Sequence, residues 1–160
     1  MKKSFFAALM AALVTLSACT VSGPEDHSGH IEVSNPYVRA ADAVMTGMFL
    51  EITNNHDEDL VLVGGSSDAA EMIEIHTVVD GVMQKLEGGL TIAVGATETL
   101  KPGGNHVMLM GLTRPLEIGD EVTVTLTFDN GESIDVTAPV KEVNLDQEHY
   151  DPDATHSAMS

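Results

Sequence analysis

Short runs of alternating apolar and polar residues, separated by turn residues, fill the chain from Ile31 to Val140. No heptad or sustained 3.6-residue period runs through them, so the pattern is that of strands. The clearest run is Glu121-Val-Thr-Val-Thr-Leu-Thr-Phe128. Val122, Val124, Leu126 and Phe128 fall on one face and three threonines on the other, as a half-buried strand requires. Asp129-Asn-Gly131 turns that strand into the run 133–140. The run 71–79 puts Met72, Glu74, His76 and Val78 on one face, and Ile73, Ile75 and Thr77 on the other. Asp80-Gly81 is a hairpin signal that leads into 82–86. Further short runs lie at 37–39, 47–53, 60–63, 90–94 and 97–100. The total, about eight or nine strands at this spacing, predicts an all-β domain built as a two-sheet β-sandwich.

The two ends of the chain do not share the pattern. Met1-Lys-Lys-Ser4 is basic, and 5–16 is apolar, rich in small residues and uncharged. A segment of about a dozen apolar residues is the length of a signal-peptide core and too short to span a bilayer. Leu16-Ser-Ala-Cys19 follows it, and Cys19 is the sole cysteine. The tetrapeptide resembles the bacterial lipobox, so 1–18 is expected to be a lipoprotein signal peptide and Cys19 the lipidated first mature residue. The polar, turn-rich stretch 19–34 is expected to be a flexible tether, 35–143 the folded domain and 144–160 a disordered acidic tail. The expected location is extracytoplasmic, with the protein held on the cell membrane by lipid.

Composition narrows the functions. Loss of Lys2 and Lys3 with the signal peptide takes the formal charge from −18 to −20. Such a charge disfavours nucleic acid and anionic lipid surfaces as partners. With Cys19 lipidated, the mature domain has no thiol, which excludes a type-1 blue copper centre and any disulfide. An oxidising compartment favours a soft metal site made of methionine and histidine over one made of cysteine. Among the strand residues there is no nucleophile–base pair and no carboxylate dyad, so no enzyme activity is expected.

Lys101-Pro-Gly-Gly-Asn-His-Val-Met-Leu-Met-Gly111 carries the candidate chemistry. If the strand starts at His106, then His106, Met108 and Met110 share a face at steps of about 7 Å. Imidazole and thioether form a soft ligand set suited to Cu(I). The same residues also suit a methionine-filled core with a hydrogen-bonded histidine, and this stretch alone leaves both readings open. His27, His30, His149 and His156 lie in the two tails, where imidazole would suit Cu(II), while His56 sits in an acidic turn and reads as solvated.

Three stretches together resemble the PCuAC-type periplasmic copper chaperones: Glu74-Ile-His-Thr77, Gly81-Val-Met83 and Lys101-Pro-Gly-Gly-Asn-His-Val-Met108. Asn35-Pro-Tyr-Val-Arg39, 46–54 and Gly111-Leu-Thr-Arg-Pro-Leu116 match as well, so the resemblance spans about Ile31 to Val143. It implies an all-β, cupredoxin-like (Ig-like) Greek-key β-sandwich. It also implies one Cu(I) held by His76, Met83, His106 and Met108, and delivery to a cuproprotein such as a respiratory oxidase copper centre. The chain departs from the family at Met83. Six residues separate it from His76, fewer than the family leaves, and the family's Met-x-Met has Lys85 in its second position here. Met72 is the alternative thioether. A non-catalytic adhesion or scaffold lipoprotein is the rival reading, and a copper-buffering resistance protein would use the same residues.

Overall fold

The computed structural model describes residues 29–42 and 44–142. Cys19, His27, His149 and His156 lie outside the described residues. Ten strands follow in order: β1 (Ile31–Arg39), β2 (Met45–Asn54), β3 (Leu60–Ser67), β4 (Ala70–Val79), β5 (Val82–Lys85), β6 (Leu90–Ile92), β7 (Thr97–Leu100), β8 (His106–Leu112), β9 (Glu121–Phe128) and β10 (Ser133–Lys141). They hydrogen-bond in the order β5-β4-β8-β2-β1-β10-β9-β3-β6, and β3 also pairs with β4. That last pairing closes seven strands into a ring, with β5, β6 and β7 as flanking edges. Among the described strands, only β1 and β10 run parallel to each other. The expected all-β, cupredoxin-like Greek-key sandwich is therefore present, with its two layers joined into a barrel.

Alternation places the core where the sequence puts it. Val122, Val124, Leu126 and Phe128 of β9 are each 3 % exposed or less. They pack with Met48, Leu50 and Ile52 of β2, Ile73 and Ile75 of β4, and Val107 and Leu109 of β8. Each such side chain contributes about 1.5–3 kcal/mol by leaving water.

Two boundaries differ from the sequence reading. The strand at the start begins at Ile31, ahead of the run at 37–39 and inside the stretch expected to be tether, because Ile31 to Ser34 pair with Asn54 to Glu51 of β2. Ile31 and Val33 pack on the core, and a bulge at Asn35 (φ 52°) then re-aims Tyr37 and Val38. The third strand runs on through Gly64-Gly65-Ser-Ser67, past the end of the apolar run at 60–63. Here β9 supplies partners for Gly64 to Ser66, and a Cβ on Gly65 would run into the Thr125 carbonyl. Gly65→Ala is therefore expected to lower stability by about 2 kcal/mol through overpacking, seen as a lower urea midpoint with an unchanged slope. A midpoint equal to that of the unsubstituted protein refutes the close approach.

Candidate metal centre

The second strand meets two partners along one edge: β7 over Leu50 to Thr53, then β8 over Met45 to Met48. Both run antiparallel to it, so β7 and β8 are one strand line interrupted by residues 101–105. Lys101-Pro-Gly-Gly104 makes the interruption as a tight turn. The Gly104 N–H donates to the Lys101 carbonyl at 3.1 Å, and Gly103 takes φ 75° in the third position, where glycine has no steric penalty. The Lys101 N–H donates to the Asn105 carbonyl at 2.9 Å and closes the loop's base. The Gly104 carbonyl lies 2.9 Å from His106 Nδ1. A carbonyl only accepts, so Nδ1 carries the proton, and in the neutral ring Nε2 carries the lone pair.

His106 faces His76 directly across the β4–β8 pairing, with ring centroids 6.0 Å apart. Met108 is one step along, opposite Glu74. His76 Nε2 lies 3.0 Å from Glu74 Oε2. The carboxylate accepts, which leaves the lone pair of the neutral ring on His76 Nδ1, a buried atom with no hydrogen-bond partner. Lys85 Nζ donates to the other Glu74 oxygen at 2.9 Å. Burial raises the Glu74 pKa, but the hydrogen bonds from His76 and Lys85 outweigh it and hold the carboxyl below its ordinary range. Lys85 is raised in turn, first by its hydrogen bond to Glu74.

These side chains project from the sheet face opposite the core: Ile75 and Val107, beside them in sequence, point inward. They are nonetheless buried, with His76 4 %, His106 1 % and Met108 3 % exposed. Phe49 supplies part of the cover. Its ring lies 6.1 Å from that of His106 and 5.2 Å from that of Tyr37, and Lys141 Nζ sits 5.4 Å over Tyr37. Gly47, opposite Met108, makes the cover possible, since a Cβ there would lie 2.8 Å from Phe49 Cζ. Sequence reasoning missed Phe49, Gly47 and Glu74. The available signal was a glycine two residues before a phenylalanine on one strand face.

Met83 pairs with Val78 around the Asp80-Gly81 turn, as the tight hairpin predicts. It shares the face of His76, stands diagonal to it, and is 8 % exposed. Met72 shares that face too but is 53 % exposed, opposite Met110 and four residues from His76. Register thus places His76, His106 and Met108 side by side and sets Met83 at the hairpin side of the same buried patch.

Among the described residues, no three His, Cys, Asp or Glu side chains are placed to hold a metal ion. An ion at this patch would therefore depend on thioethers beside two imidazoles, a set for a soft monovalent cation and a poor one for hard divalent ions. His56 is not the solvated turn histidine expected. Its side chain is 16 % exposed and Nε2 is 3.0 Å from a Glu132 carboxylate oxygen, because the β9–β10 turn lies beside it. His30 is exposed near Asn55.

Comparison with known proteins gives a consistent picture. A family model described as "Putative lipoprotein LpqE-like" matches residues 31–140. A "Putative lipoprotein Lxx21020" of Leifsonia xyli subsp. xyli is 35 % identical over 150 residues, covering 88 % of this chain and 90 % of its own. Among solved structures, an apo PCuAC domain from PmoF1 superposes with a TM-score of 0.62 at 26 % identity, over 71 % of this chain and 94 % of its own. The Cu(I) form of DR1885 from Deinococcus radiodurans gives 0.55 at 33 % identity, over 69 % and 78 %. A copper-bound PCuAC domain from PmoF2, at 20 % identity and a TM-score of 0.61, shares the fold.

Proposed function

The chain belongs to the LpqE-like lipoprotein family and its folded part is a PCuAC-type domain; on that premise we propose that it is an extracytoplasmic copper chaperone. Its cargo is Cu(I), held by His76 Nδ1, His106 Nε2, Met108 and Met83. The observation that carries this reading is the buried pair His76–His106 in direct register, with Met108 beside it and each ring's tautomer fixed by a separate acceptor. Similarity to a Cu(I)-bearing relative supports it.

The chemistry suits transport. Two imidazoles and two thioethers are neutral, so they bind Cu(I) less tightly than thiolates would and let it go to a stronger acceptor. The patch lies outside the central core, so the ion leaves without opening the barrel. Glu74 keeps His76 in the tautomer that presents Nδ1, and the Gly104 carbonyl does the same for Nε2 of His106. The acceptor is a membrane or secreted cuproprotein, such as a respiratory oxidase copper centre. Lipid on Cys19 holds the chaperone at the membrane surface, and mass spectrometry of the mature protein checks for the acylated residue. No catalytic step is assigned.

A Cu(I) titration against a competing chelator under reducing conditions tests the reading. One tight equivalent supports it. The absence of tight binding supports a scaffold or adhesion role, with these side chains as a second core. Transfer to an apo oxidase copper domain separates delivery from buffering.

Burial favours Met83 over Met72 as the remaining thioether. Met83→Leu conserves volume and is expected to cost the fold less than about 1.5 kcal/mol. It is expected to weaken Cu(I) binding about tenfold, or about 1.4 kcal/mol, with Met72→Leu near the unsubstituted value. The opposite result reassigns the ligand to Met72; no effect from either leaves His76, His106 and Met108 as a three-coordinate set.

A further inference from the structure

Beyond Met108 the same sheet face carries a row of three methionines. Met72 pairs with Met110 across β4–β8, and Met110 pairs with Met45 across β8–β2. Antiparallel partners in register project to one side. The next row inward is Glu74, Met108 and Gly47, and the one after that begins with His76 and His106. Met72 is 53 % exposed, and Met110 and Met45 are half-buried. The outer two strands are about 10 Å apart, with Met110 between them, a span that long thioether side chains can lean across. Successive rows along the strand are about 7 Å apart.

A sheet face at this exposure ordinarily carries polar or β-branched residues. Three aligned thioethers are an all-sulfur set open to solvent, one step from a buried mixed site. We propose that Met45, Met72 and Met110 form a second, weaker Cu(I) site through which the ion enters and leaves the buried one. The neutral S3 set accepts Cu(I) by ligand exchange alone, with no proton released and no change of oxidation state. On the β2 side the Phe49 ring lies over Gly47, so the row and the buried site adjoin through Met108 and Glu74. The assignment rests on the buried site being a Cu(I) site, and the test keeps the two apart.

The measurement is Cu(I) titration of the full mature protein, with methionine methyl NMR as the site-specific readout. The unsubstituted protein is expected to bind two equivalents, the second shifting the Met45, Met72 and Met110 methyls. The triple variant Met45→Leu/Met72→Leu/Met110→Leu is expected to keep the tight equivalent, lose the weak one, and pass Cu(I) to a small chelator at least tenfold more slowly. A second equivalent that persists in the triple variant overturns the proposal. So does an unsubstituted protein whose row methyls stay unshifted. If the tight equivalent is missing from both proteins while the weak one is lost only in the triple variant, the row stands and the buried-site assignment falls. A far-UV spectrum and melting temperature close to those of the unsubstituted protein show that loss of binding in the variant is not loss of fold.

Discussion

His106→Ala is expected to weaken Cu(I) binding by more than about 100-fold, or about 2.7 kcal/mol, while leaving the barrel folded. The imidazole lies at the centre of the buried patch, between His76 across one strand pair and Phe49 on the other side. Its proton is committed to the Gly104 carbonyl, so Nε2 is the nitrogen with a lone pair to give. Removing the ring takes away a ligand outright, a larger loss than the tenfold to 100-fold typical of removing a group that only orients one. The fold survives because His106 is outside the main core, whose contacts on this strand are Val107 and Leu109. Competition titration gives the affinity and thermal melting gives the stability. Binding within threefold of the unsubstituted protein would remove His106 from the site. His56→Ala is the control: that ring pairs with Glu132 far from the patch, and Cu(I) affinity should not respond.

Glu74→Gln is expected to weaken Cu(I) binding about tenfold to 100-fold without removing a ligand. The carboxylate accepts from both His76 Nε2 and Lys85 Nζ. A glutamine amide can accept once in that geometry, but its NH2 cannot accept from Lys85 and its carbonyl holds the imidazole proton less strongly. His76 then samples the tautomer with the proton on Nδ1, the atom that must coordinate. The same substitution has a pH signature. Because hydrogen bonds hold the Glu74 carboxyl below its ordinary range in the folded state, its contribution to stability is complete above the unfolded carboxyl pKa of about 4.3. That contribution disappears as pH falls through the lower folded value. Glu74→Gln should flatten the stability curve in that acidic window. An acid limb identical in the two proteins would show that Glu74 is not stabilised as described.

The sequence made some of this legible and hid the rest for identifiable reasons. The faces of β4 and β9 follow from alternation alone, since a strand has one period and a buried side. That put His76 with Met72 and Glu74, and His106 with Met108, before any contact was known. The meeting of His76 with His106 was not derivable that way, because register between strands thirty residues apart is set by barrel closure. Met83 opposite Val78 was derivable, because a two-residue turn fixes hairpin register locally. The Gly64-Gly65 stretch was opaque: its strand conformation comes from β9 pressing against it, and propensity points the other way. Alternation put Glu74 on the face of His76, but its two donors, the diagonal Lys85 and the adjacent His76, follow only from the pairing of β4 with β5 and from the rotamers.

Closure of the ring bears also on how the protein behaves in a crowd. An open sheet offers a ladder of unpaired N–H and C=O groups to any neighbour, and long flat edges invite strand-by-strand polymerisation. Among the described strands, the pairing of β3 with β4 leaves β5, β6 and β7 at the margins, four, three and four residues long. One of those margins carries Lys85 and another Glu98, charges that resist addition of a further strand. Packed side by side at high density, these barrels have little edge to extend, so the molecules can stay separate without a second protein to keep them apart.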